Sequence, residues 1–111
     1  MPSQPVSEPV YRASDERENA AVLADLETAA DRLELDTEAR SRARDVFLLT
    51  VAETNRSKQT TLAASLYVGT LVAGEERSQR AVADAVGVSR LSVQQHWKEH
   101  LEAAGLEPPS W

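Results

Sequence analysis

The sequence predicts an all-α fold, a five-helix bundle that ends in a helix-turn-helix. Three observations carry this. Apolar residues are 41% of the 111 residues and recur at three- and four-residue spacing. All five prolines lie near the two ends, so the interior is free of strong helix breakers. Glycine is scarce, at 4, too few for the many turns of a large β domain. The length fits one domain, and with aromatics at 5% the core must be Leu, Val and Ala.

Residues 1–14 hold three prolines and no periodicity, and read as a flexible N-terminal tail. The first helix is predicted from Asp15 to Leu35, with Asp15 and Glu18 at capping-box spacing. Val22, Leu23, Leu26, Ala30 and Leu33 form its apolar stripe. Asp36 or Thr37 caps the second helix, predicted to run to about Thr54 with Ala39, Ala43, Val46, Phe47, Thr50 and Val51 inward. Arg40, Arg42 and Arg44 fan over more than half of that helix, so they pair with nearby acids and make no single patch. The third helix, Lys58 to Ala73, is apolar or small nearly all round, which marks a central, buried helix. Its Ala64, Ser65 and Gly69 allow close approach by neighbours, and Gly74 ends it. Ser78 caps a short fourth helix, Gln79 to Val86. Gly87 breaks the chain, Ser89 caps the fifth helix from Arg90 to about Ala104, and Gly105 ends it. The folded domain is thus expected at 15–105, the helix-turn-helix at 78–104, and a C-terminal tail at 106–111.

The run Gln79 to Trp97 carries the functional signal. Two helices that cross closely need a small residue at the crossing, here Ala83, and a turn that accepts positive φ, here Gly87. Val93 anchors the second helix, and Val82, Val86 and Val88 complete the wedge. In this frame the second helix enters a major groove of double-stranded DNA. With Val93 and Trp97 inward, Arg90, Leu91, Gln94, Gln95 and Lys98 face outward. Gln94 and Gln95 suit adenine, Arg90 suits guanine and Leu91 a thymine methyl. Ser78, Gln79 and Arg80 sit where the first helix of the motif meets phosphates.

Other chemistries find little support. Without cysteine there is no zinc ribbon, disulfide or thiol nucleophile. His96 and His100 are four apart but lack a third ligand, and read as helix-surface histidines. No catalytic set stands out, so neither an enzyme nor a cofactor is expected. The longest apolar stretch, about Leu62 to Ala73, is too short for a bilayer span, and no signal peptide is evident. A soluble, cytoplasmic protein is expected. Net charge is −6, with ten Arg against two Lys. That balance suits a halophilic archaeon, or a GC-rich bacterial genome. Residues 1–74 carry 8 basic and 12 acidic side chains, whereas 75–100 carry 4 of each. The acidity favours an alternative to DNA binding, a module that binds another protein.

The run from Ala63 resembles the cyclin-like repeat of archaeal transcription factor B, the counterpart of eukaryotic TFIIB. The likeness rests on Ala63-Ala64-Ser65-Leu66-Tyr67 in the central helix, then Arg77-Ser78-Gln79. Val82-Ala83 with Gly87-Val88, and Ser92-Val93-Gln94-Gln95-His96-Trp97, complete it. It is specific over about 58–104 and weaker over 15–104. The resemblance implies a five-helix cyclin-like bundle. It also implies that the last two helices read a promoter element beside the TATA box, while other surfaces contact TATA-binding protein. Leu91 and Gln94 fall where the family places a base-reading apolar residue and an arginine. Gln cannot imitate the arginine fork, so adenine preference and loss of base reading are the alternatives. A complete initiation factor carries a zinc ribbon and two repeats. This sequence has neither Cys nor length for both, which implies a stand-alone regulator, a competitor for promoter or TATA-binding protein, or half of a homodimer.

Overall fold

A computed structural model describes residues 19–51, 57–103 and 105. Among these residues five helices run in the order α1 (Ala20–Arg32), α2 (Thr37–Thr50), α3 (Lys58–Val72), α4 (Gln79–Val86) and α5 (Arg90–Ala103). There is no strand among the described residues. The predicted tails, 1–14 and 106–111, lie outside them, as do Asp15, Glu18 and the predicted end of the second helix at Thr54.

Helix α3 is the hub and packs against each of the other four. Residues 61–70 are buried without interruption, as expected of a helix with no polar face. Its two buried threonines turn back on the helix: Thr61 Oγ1 donates to the Ser57 carbonyl at 3.1 Å and Thr70 Oγ1 to the Tyr67 carbonyl at 2.7 Å. Ser57 caps the helix by accepting from the Thr60 amide at 3.1 Å. Close approach occurs where small residues allow it. A Cβ built on Gly69 would stand 2.7 Å from the Ala43 nitrogen, 2.8 Å from the Ala43 Cβ and 2.9 Å from the Ala39 carbonyl oxygen of α2.

Leu23, Leu26, Ala29 and Ala30 of α1, and Ala39, Ala43, Val46, Phe47 and Leu48 of α2, fill the core around α3. Asp36 caps α2 by accepting from the Ala39 amide at 3.1 Å. Arg40 joins α2 to α1 through Asp31 at 2.8 Å and Glu27 at 3.0 Å, and these two carboxylates hold its guanidinium above its ordinary pKa. Arg42 pairs with Glu38 one turn away at 3.3 Å. The arginines of this helix are thus engaged along its length and do not gather, as their spacing predicts.

One boundary differs from the sequence reading. Helix α1 runs from Ala20, after Asn19, and ends at Arg32, short of Leu35. The Glu34 amide reaches the Asp31 carbonyl at 3.1 Å and the Leu35 amide the Ala30 carbonyl at 3.0 Å. This pairing closes a helix around a left-handed residue, a place glycine usually takes. Here Glu34 takes it, at φ +57°. The same pairing closes α3 around Gly74, at φ +76°, with Glu75 reaching the Thr70 carbonyl at 2.9 Å.

The two turns meet. Arg77 Nε donates to the Leu33 carbonyl at 3.1 Å and Nη2 to that of Glu34 at 3.4 Å, while Nη1 donates to the Glu75 carbonyl at 2.9 Å and that of Glu76 at 3.3 Å. Beside it, the Asp36 amide donates to Glu75 Oε1 at 3.1 Å. The Asp36 and Glu75 carboxyls share this corner. Hydrogen bonding to the Asp36 side chain raises the Glu75 pKa, and the Glu75 side chain in turn lowers that of Asp36. Arg32 Nη1 adds a bond from α1 to the Ala85 carbonyl of α4 at 2.8 Å.

Candidate nucleic-acid interface

The helix-turn-helix is built from local steric demands. Ser78 Oγ accepts from the Ala81 amide at 3.0 Å and starts α4. Val82, Ala83 and Ala85 are buried against the bundle. Gly87 then takes φ +95°, and its amide and that of Val88 both reach the Ala83 carbonyl, at 2.8 and 3.0 Å. Space is open around Gly87, so the left-handed backbone alone asks for glycine here. Ser89 Oγ accepts from the Ser92 amide at 3.2 Å and starts α5.

Three residues seat α5 on α3. Val93 and Leu101 are fully buried, and Trp97 meets Tyr67 edge-on, with centroids 5.4 Å apart and planes at 76°. Because these point inward, Leu91, Gln94, Gln95 and Lys98 point outward as one exposed stripe. Leu91 is 53% exposed, the exposed large apolar side chain among the described residues. Lys98 Nζ lies 5.6 Å from the Trp97 ring centroid, a cation over the residue that anchors its own helix.

The remaining predicted contacts cluster at the start of α4. Ser78 and Arg80 are exposed and Gln79 is half-buried. Arg90 Nη1 donates to Gln79 Oε1 at 3.4 Å, so the first residues of α4 and α5 meet. The sequence reading did not foresee that pairing, which joins residues 11 apart through the turn. Nor did it single out Glu99, whose exposed carboxylate adds negative charge next to the stripe.

One correction concerns the histidines. His100 is buried, 3% exposed, and its Nδ1 lies 2.9 Å from the His96 carbonyl oxygen; His96 is half-buried. They are not the surface pair expected. Val93, Trp97 and Leu101 turn inward, and His100 shares their side of the helix, which draws it inside. No group of three or more His, Cys, Asp or Glu among the described residues is arranged to hold a metal ion. Among the same residues, no helix is long and apolar enough to cross a membrane.

Comparison with known proteins bears on this architecture. Residues 16–103 match the family model of the transcription factor TFIIB repeat. The chain is 30% identical over 80 residues to the transcription initiation factor IIB of Haloarcula vallismortis, covering 69% of this chain and 70% of that one. It is 32% identical over 83 residues to the protein of the same name from Pyrococcus horikoshii, covering 72% of this chain but 28% of the other. A shorter match, 42% over 45 residues, links it to the factor of Archaeoglobus fulgidus, with 40% and 14% covered. The chain thus spans little more than a quarter of the Pyrococcus protein, while it spans most of the Haloarcula one. The five-helix order and the matched length agree: the chain belongs to the transcription factor TFIIB repeat family, with its cyclin-like all-α fold.

Proposed function

We propose that this chain is a DNA-binding transcription regulator that lays α5 in the major groove of double-stranded DNA. The observation that carries the reading is the exposed stripe Leu91, Gln94, Gln95 and Lys98, backed by buried Val93 and Trp97 in a helix-turn-helix frame. Four side chains of graded chemistry on one rigid helix are what base reading needs. Gln94 and Gln95 pair with adenine edges, Leu91 rests on a thymine methyl, and Lys98 meets phosphate. Ser78, Arg80 and Arg90 complete the contact set at the starts of α4 and α5, where Gln79 links the two helices. The folded unit of this reader is 15–105. The relatives named as transcription initiation factors support a role in transcription.

Acidic net charge weakens long-range attraction to DNA, so affinity is modest and specificity rests on the stripe. The test is an amide NMR titration of the labelled chain with a mixed-sequence duplex at high salt. Shifts concentrated between Arg77 and Lys98 support the reading, and an unmoved spectrum sinks it. Gln94→Ala should weaken binding unequally across sequences, and Lys98→Ala evenly, with a flatter salt slope.

A second reading is favoured by the net charge of −6. In it the chain binds a transcription protein such as TATA-binding protein without DNA. A pull-down with purified TATA-binding protein after nuclease treatment separates the two readings.

A further inference from the structure

The corner between α4 and α5 assigns different work to two residues that the sequence grouped together. Arg90 and the stripe on α5 do not share a direction. At roughly 100° per residue, Leu91, Gln94, Gln95 and Lys98 fall within about 100° of one another. Arg90 lies about 90° from their midline, on the side of buried Trp97 and Leu101. At the first position of the helix nothing covers it, so it stays exposed while Trp97 and Leu101 below it do not. Its guanidinium is instead drawn sideways to the first residue of α4, where Gln79 Oε1 accepts from Nη1 at 3.4 Å.

That geometry has a consequence for a helix lying in a groove. A side chain at the midline reaches the groove floor, where the bases are. A side chain at the flank, tied to the neighbouring helix, reaches the groove wall, where the phosphates are. We propose that Gln79 is a positioning residue that holds Arg90 against a backbone phosphate and away from the bases. The proposal rests on the DNA-reading role of α5 and refines it: sequence is read by Leu91, Gln94 and Gln95, and Arg90 is a grip.

The test is duplex binding by fluorescence anisotropy over a salt series, for the wild-type chain, Gln79→Ala, Arg90→Ala and the double variant. The duplexes differ by single base pairs in a selected site. Thermal melts by circular dichroism check that these substitutions leave the fold intact. Gln79→Ala should weaken binding about three- to tenfold, the worth of one hydrogen bond, and keep the salt slope. Arg90→Ala should flatten the slope by about one and weaken all duplexes alike. Adding Gln79→Ala to Arg90→Ala should then cost nothing more. Additive losses overturn the proposal and leave α5 as the reader. So does an Arg90→Ala penalty confined to one base pair. Failure of the wild-type chain to bind any duplex overturns both.

Discussion

Gly69 of α3 and Ala43 of α2 meet backbone to backbone: a methyl group on Gly69 would stand 2.7 Å from the Ala43 nitrogen. The other obstacles are the Ala43 Cβ at 2.8 Å and the Ala39 carbonyl oxygen at 2.9 Å, neither of which a rotamer change can move. Gly69→Ala should therefore separate the two helices and cost about 3 kcal/mol, the upper range for an overpacked core. Urea denaturation measures it. A wild-type midpoint for this variant would mean that α2 and α3 slide apart at no cost.

Ser65 should respond in the opposite sense. Its hydroxyl is fully buried in α3 and has no hydrogen-bond partner among the described residues. Ser65→Ala removes that unsatisfied group, leaving a residue of similar size. A gain of about 1 kcal/mol is expected. A lower melting temperature would reveal that the hydroxyl is satisfied in solution.

Arg77 binds main-chain carbonyls of both turns through Nε, Nη1 and Nη2. Arg77→Ala should cost roughly 2 kcal/mol, since bonds from a charged donor are strong but this one is only half-buried. Lysine cannot span carbonyls on two turns, so Arg77→Lys should recover little of the loss. Equal stability of the lysine variant and the wild type would refute the fork geometry.

The Asp36–Glu75 corner predicts a pH dependence. Glu75 has a raised pKa, so its contribution is present at low pH and lost as pH rises through the folded value. Asp36 has a lowered pKa, so its contribution is present at higher pH and lost as pH falls through its folded value. As pH rises and Glu75 ionises beside the Asp36 carboxylate, the two repel. Glu75→Gln keeps an oxygen for the Asp36 amide and removes the repulsion. Its melting temperature should exceed that of the wild type at pH 7, and the gap should close as pH falls to about 4. A gap that widens on acidification would contradict the pairing.

Much of this fold is written in short-range sequence. Ala83, Gly87 and Val93 specify the helix-turn-helix because each meets a steric demand of its own backbone position, visible without knowing the partner helix. The all-round apolar run of α3 likewise declares a buried helix. Glu34 shows where such signals fail: the turn after α1 uses the same hydrogen bonds as the turn after α3, but without glycine there was nothing to mark it. His100 was misjudged because residue type suggests a surface, whereas its place among Val93, Trp97 and Leu101 puts it inside. The links Arg77–Leu33 and Gln79–Arg90 join side chains to distant or sideways partners, and no periodicity encodes them. At the candidate interface, the outward set on α5 was legible from Val93 and Trp97 alone, but the sideways lean of Arg90 was not.

The grip of Arg77 also bears on how such a chain can diverge. Carbonyl oxygens are common to all twenty amino acids, so Leu33, Glu34, Glu75 and Glu76 offer the same acceptors whatever side chains they carry. Those turns are free to drift in sequence, gaining or shedding charge to suit salinity or a new binding partner. Provided Arg77 persists, the attitude of the helix-turn-helix on the bundle is kept, and the two surfaces can evolve independently.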